Sequence, residues 1–141
     1  MEQPKSAHDH YEHGRVLKHA LMYDQAREEF QHVANDPEYA GNAHVQIALC
    51  LLATGRYDDA VVAYRQALEV GTFSSTEKAQ ILYLLGKTLE ALGRVAEALE
   101  AYGWASLHLQ DPLIAFVVGG MALLLLAPLA NALAPTRRPT C

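Results

Sequence analysis

The chain repeats itself. The stretch Gly55–Leu68 returns as Gly93–Ser106, and a more diverged copy, Leu21–Ala34, precedes both. Each copy places an alanine, an aromatic four residues on, and a small or branched apolar residue three further: Ala26/Phe30/Val33, Ala60/Tyr64/Ala67 and Ala98/Tyr102/Ala105. From Ala26 to Ala60 is 34 residues and from Ala60 to Ala98 is 38, so the second connection carries four extra residues. A period of this length belongs to helix–turn–helix units. Such a unit cannot bury its apolar face alone and must stack on its neighbours, which restricts the chain to an all-α solenoid.

Upstream of each alanine stands another small residue, Gly14, Ala48 or Gly86, followed three positions later by Leu17, Leu51 or Leu89. Two antiparallel helices approach closely only where both offer small side chains, and the aromatic then fills the space between them. With these anchors the sequence resembles the tetratricopeptide-repeat (TPR) family over residues of about 7–110, as three repeats at about 7–35, 36–71 and 75–110. The family often carries Trp near the start of the first helix of a repeat; His10, His44 and Leu82 stand there instead.

Helix starts and stops are legible. Ser6 with Asp9, and Ser74 with Glu77, read as capping boxes. Asp24 and Asp58 are placed to start the second and fourth helices. Asp36-Pro37 reads as an N-cap followed by the first helical position, where the missing N–H of proline costs nothing. Gly55, Gly71 and Gly93 mark helix ends. Residues 1–6 are expected to be disordered. No apolar stretch follows the polar N-terminus, so no signal peptide is expected.

The composition then changes. After Asp111-Pro112, the 22 residues Leu113–Ala134 carry no formal charge. At about 1.5 Å per residue they would reach roughly 33 Å, against ~30 Å for a bilayer core. Being apolar on every side, such a helix has no face suited to water. Residues 112–134 are therefore expected to form a single transmembrane helix, with residues 135–141 as a basic tail. Its start is expected to pack on the sixth helix, and Ala115–Gly119 offers a small-xxx-small pattern for helix contacts. Arg137 and Arg138 would draw the tail to the cytoplasm, yet a folded domain without a signal is hard to export. A tail-anchored layout, with the repeats in the cytoplasm, answers the second constraint.

Residues 1–112 hold 9 Lys+Arg against 16 Asp+Glu, a net charge of −7. That balance argues against nucleic acid as a partner. Two cysteines make no disulfide framework; Cys50 sits in an apolar run and reads as core, and Cys141 lacks the residues of a prenylation signal. His10 and His13 lie three apart on one helical face, but no second ligand pair accompanies them, and no metal or cofactor is expected. Adjacent acids such as Glu28-Glu29 point apart on a helix, and no nucleophile–base pattern or Gly-rich phosphate loop accompanies them, so no enzyme is expected.

The resemblance implies a different kind of site, a concave groove lined by the first helix of each repeat and holding a peptide or partner helix. Carried over, the lining includes Tyr11 and Arg15 in the first repeat. The second contributes Val45, Gln46 and Leu49, and the third Gln80, Tyr83, Leu84 and Lys87. One TPR sub-family grips acidic chaperone C-termini with a clamp of two Lys, two Asn and an Arg. At the corresponding positions this chain has Tyr11, Arg15, Gln46, Gln80 and Leu84, so that clamp is absent. What remains is an apolar floor with cations at Arg15 and Lys87, suited to an apolar or amphipathic segment with a carboxylate or two. The expected function is a membrane-anchored adaptor or scaffold. The alternative is a small accessory subunit built permanently into a membrane protein complex.

Overall fold

The computed structural model describes residues 3–108. Six helices occupy them: α1 (Ala7–His19), α2 (Tyr23–Gln31), α3 (Ala40–Ala53), α4 (Tyr57–Val70), α5 (Ser75–Ala91) and α6 (Val95–His108). They form three antiparallel hairpins, α1·α2, α3·α4 and α5·α6, joined through α2·α3 and α4·α5. The expected helix-hairpin solenoid is the observed architecture of this region. Among the described residues no helix is long and apolar enough to cross a membrane. The segment 112–134 and the tail lie outside those residues.

Both capping boxes form. The Asp9 N–H donates to Ser6 Oγ at 3.2 Å while the Ser6 N–H donates to the Asp9 carboxylate at 3.0 Å. Ser74 and Glu77 repeat the exchange at 3.3 and 2.8 Å. Two helix starts fall earlier than expected: α2 begins at Tyr23 and α4 at Tyr57, with Met22 and Arg56 as caps that make no side-chain hydrogen bond. Asp24 and Asp58 lie in the first turns, where negative charge opposes the positive end of the helix dipole. At Asp36 the expectation needs correcting. Its carboxylate accepts from the N–H groups of Glu38 and Tyr39, at 2.9 and 3.2 Å, and so closes a separate turn; α3 starts only at Ala40. Ser6 caps α1, and Lys5 reaches Glu29 on α2 at 3.4 Å.

The turn within each hairpin closes in the same way. At Leu21, Gly55 and Gly93 the backbone enters the left-handed region, with φ of 61°, 77° and 74°. The N–H of that residue and of the next return to the carbonyls of the preceding helix: Leu21 to Lys18 and Met22 to Leu17, Gly55 to Leu52 and Arg56 to Leu51, Gly93 to Glu90 and Arg94 to Leu89. This is the paired Schellman closure, and it favours glycine at its left-handed position. The first repeat uses leucine there.

The small-residue and aromatic anchors meet as the spacing implied. A Cβ on Gly14 would lie 2.7 Å from the Phe30 ring, and one on Gly86 would collide with the ring of Tyr102. In the middle repeat Ala48 and Tyr64 are both wholly buried. The core runs unbroken from Ala26 and Phe30 to Tyr102 and Ala105. The three positions without Trp are all packed. Leu82 is buried in that core, and burial of His44 holds its imidazole below the ordinary histidine value. His10 stacks on His32 with ring centroids 4.5 Å apart.

A candidate binding groove on the first helices of the repeats

Short connections make α1, α3 and α5 run in one direction, side by side. Their N-termini share one rim of the stack and their C-termini the other. The expected lining residues lie on these three helices, and burial divides them into two groups. Tyr11, Val45 and Leu84 are half-buried and packed against the core. Their exposed edges form the floor. Tyr83 stands out from it, 45% exposed, with its ring 5.8 Å from that of Tyr102. Leu49 and Gln46 are half-buried, whereas Arg15, Gln80 and Lys87 are exposed.

The polar members are not free. Arg15 pairs with Glu12 at 3.1 Å and Lys87 with Glu90 at 3.5 Å, each within its own helix. Exposed pairs of this kind contribute only about 0.3–0.5 kcal/mol, so a partner's carboxylate could displace them. Lys18 donates to the Gln46 side chain and ties α1 to α3 across the groove. Burial, more than any charge, pushes the Tyr11 hydroxyl above its ordinary value.

Tyr39 and Phe73 also bound this face and were not foreseen. The Tyr39 ring lies 5.2 Å from that of Tyr11, and its hydroxyl meets His8 Nδ1 at 3.0 Å. Phe73, in the lengthened connection, lines a cavity with Val45 and Gln80. Neither sits on a repeat anchor, so periodicity alone could not find them; for Phe73 the available signal was an aromatic inside the one connection that departs from the period.

Two of the α1 histidines, His10 and His13, are engaged away from this face. Glu29 meets Nδ1 of His10 at 2.6 Å and Nδ1 of His13 at 3.1 Å, between α1 and α2. Among the described residues no group of three or more His, Cys, Asp or Glu side chains is arranged to hold a metal ion. Cys50 is a buried free thiol, raised above its usual value by that burial.

The fold and its grooved face define a helical-repeat protein. Two Tetratricopeptide repeat family models match the chain, over residues 6–69 and 39–106. The chain belongs to the tetratricopeptide-repeat family. No curated protein matches it at a significant level. Among solved structures it is similar to PcrH in complex with the chaperone binding region of PopB, at 16% identity and a TM-score of 0.67; the match covers 86% of this chain and 99% of that one. A T3SS complex from Aeromonas hydrophila gives 18% identity and a TM-score of 0.67, over 89% and 83% of the two chains. The Yersinia enterocolitica Type III Secretion Translocator Chaperone SycD gives 17% and 0.63, over 86% and 88%. At these identities the likeness establishes the fold.

Proposed function

We propose that the chain is a non-catalytic adaptor that grips a segment of a partner protein in the groove formed by α1, α3 and α5. The observation that carries this is the standing of Tyr83. A large aromatic side chain is held 45% exposed on a face whose floor, Tyr11, Val45 and Leu84, is apolar and only half-covered. An aromatic over an apolar floor, with displaceable cations at Arg15 and Lys87, suits an apolar or amphipathic segment. The similar structure of PcrH holds a region of PopB, and SycD is described as a chaperone; both support reading this fold as a holder of polypeptide. The test is capture of partners by cross-linking on the full chain, compared with Leu49→Asp and Tyr83→Asp. Loss of the same partner in both variants, with helical content retained, is the expected result. Retention in both overturns the groove.

The adaptor is anchored in a membrane through residues 113–134, with the repeats on the cytoplasmic side. This part rests on sequence: 22 residues without formal charge, followed by Arg137 and Arg138. The full chain should require detergent and resist alkaline extraction from membranes. A full-length chain that stays monomeric in plain buffer removes the anchor from the proposal and leaves the groove intact.

A second reading, a permanently built-in accessory subunit, is favoured by the outer side of α6. Trp104 is 53% exposed and Leu107 73% exposed there. Co-purification of stoichiometric subunits through stringent washing would select it.

A further inference from the structure

The four additional residues between the second and third repeats shape the groove itself. From Gly71 to Ser74 the chain is non-helical, and Phe73 folds back across it. A Cβ on Gly41 would sit 2.6 Å from the Gly71 Cα and 2.9 Å from the Phe73 ring, so this loop lies directly on the first turn of α3 because both residues are glycines. Phe73 thereby closes the space between α3 and α5. With Val45 and Ile81 it forms the apolar walls of a cavity of about 140 Å³, completed by Asn42, Gln80 and Glu77. An adjoining depression around Gly41 and Phe73 brings Glu38 to the same rim. No Lys or Arg lines either hollow. The Glu77 carboxyl is held below its ordinary value by the hydrogen bond from the Ser74 backbone, which keeps the rim anionic.

Cavity and charge together specify an occupant. The volume admits one aliphatic side chain, and an anionic rim selects a cation beside it. We infer that the inserted loop builds a subsite, walled by Phe73, Val45 and Ile81, for one Leu- or Val-sized side chain of a partner segment flanked by Lys or Arg. The inference rests on the groove reading above and adds the chemistry of its occupant at the N-terminal rim. It also gives the groove two chemically distinct ends, because the cations Arg15 and Lys87 lie further along α1 and α5.

The test uses the full chain in detergent, with Ile, Leu and Val methyl groups labelled for NMR. Three short Gly/Ser-based peptides serve as probes, differing only in a central Leu-Lys, Leu-Glu or Ala-Lys pair. The Leu-Lys peptide should move the Ile81 and Val45 methyl signals and bind roughly tenfold more tightly than the other two. Phe73→Ala should remove the Leu-over-Ala preference. Glu38→Gln, at an exposed turn position that leaves the packing alone, should weaken the Lys-over-Glu preference. Equal affinity for all three peptides, or no movement at Ile81 and Val45, overturns the subsite. Shifts confined to Leu49 and Leu84 overturn it while leaving the groove in place, and the Leu49→Asp and Tyr83→Asp captures judge the groove independently.

Discussion

Tyr102 donates its hydroxyl proton to the Glu90 carboxylate at 2.7 Å, linking α6 to α5 inside the third repeat. That hydrogen bond is the main reason the Glu90 carboxyl lies below its ordinary value. Burial first, and Glu90 second, push the Tyr102 phenol upward. The equivalent aromatic in the second repeat, Tyr64, is wholly buried and its hydroxyl has no hydrogen-bond partner. Burial alone raises it to about 12. In the first repeat the same position is Phe30, with no hydroxyl to satisfy.

Three environments for one anchor predict opposite signs for one substitution. Tyr64→Phe removes an unsatisfied buried hydroxyl and should stabilise the fold by about 1–2 kcal/mol. Tyr102→Phe leaves Glu90 without its donor and should destabilise by about 1 kcal/mol. Denaturant midpoints, with the slope unchanged, measure both. Equal effects at the two sites would show that the Tyr64 hydroxyl is satisfied in solution.

The Leu21 backbone at φ 61° carries a side-chain penalty that Gly55 and Gly93 avoid. Leu21 is 70% exposed, so its side chain contributes little burial to offset the strain. Leu21→Gly should therefore stabilise by about 1 kcal/mol, whereas Gly55→Ala and Gly93→Ala should each cost about 1 kcal/mol. A loss of stability in Leu21→Gly would mean that the leucine makes contacts beyond this hairpin.

Glu29 predicts the acid limb of the stability curve. Burial pushes its carboxyl upward, but hydrogen bonding to His10 and His13, with Lys5 nearby, outweighs that and leaves it lowered from 4.5. A carboxyl lowered in the folded state contributes stability that is present above the unfolded value and disappears as pH falls through the folded one. Stability should thus fall below pH 4.5 with a slope that Glu29→Gln reduces. Urea unfolding across that range measures it, and an unchanged slope would count against the pairing.

Overpacking tests the close approach between paired helices. Gly14→Ala would bring a methyl group 2.7 Å from the Phe30 ring, and Gly86→Ala would meet Tyr102. Each should cost about 1–3 kcal/mol. Gly103→Ala on exposed α6 meets nothing within 4 Å and should be neutral or stabilising by up to about 1 kcal/mol, because alanine is the better helix former. Thermal unfolding of the three variants provides the comparison.

What could be read from the sequence was what repetition encodes. Ala26, Ala60 and Ala98, with their aromatics, recur because every hairpin solves the same packing problem, and two capping boxes are local enough to be visible in four residues. Features that belong to one repeat left no such trace. Leu21 looks like an ordinary apolar residue, because a left-handed backbone is legible only where glycine marks it. Asp36 closes a separate turn because its carboxylate reaches two successive N–H groups, an outcome chosen by the chain's approach to α3 rather than by composition. The groove residues followed from the family resemblance, whereas Tyr39 and Phe73 were missed because their positions depend on how a loop returns to the helices. The pairing of Arg15 with Glu12 and of Lys87 with Glu90 is legible from the i, i+3 spacing alone.

Each helix makes its substantial contacts with helices adjacent to it in the chain. Among the described residues no substantial contact joins the first hairpin to the third. Such a stack deforms as a spring does, by small rotations shared among successive interfaces. The width of the face lined by α1, α3 and α5 is then an elastic variable, and a segment held there as proposed would work against a compliance distributed over all three hairpins.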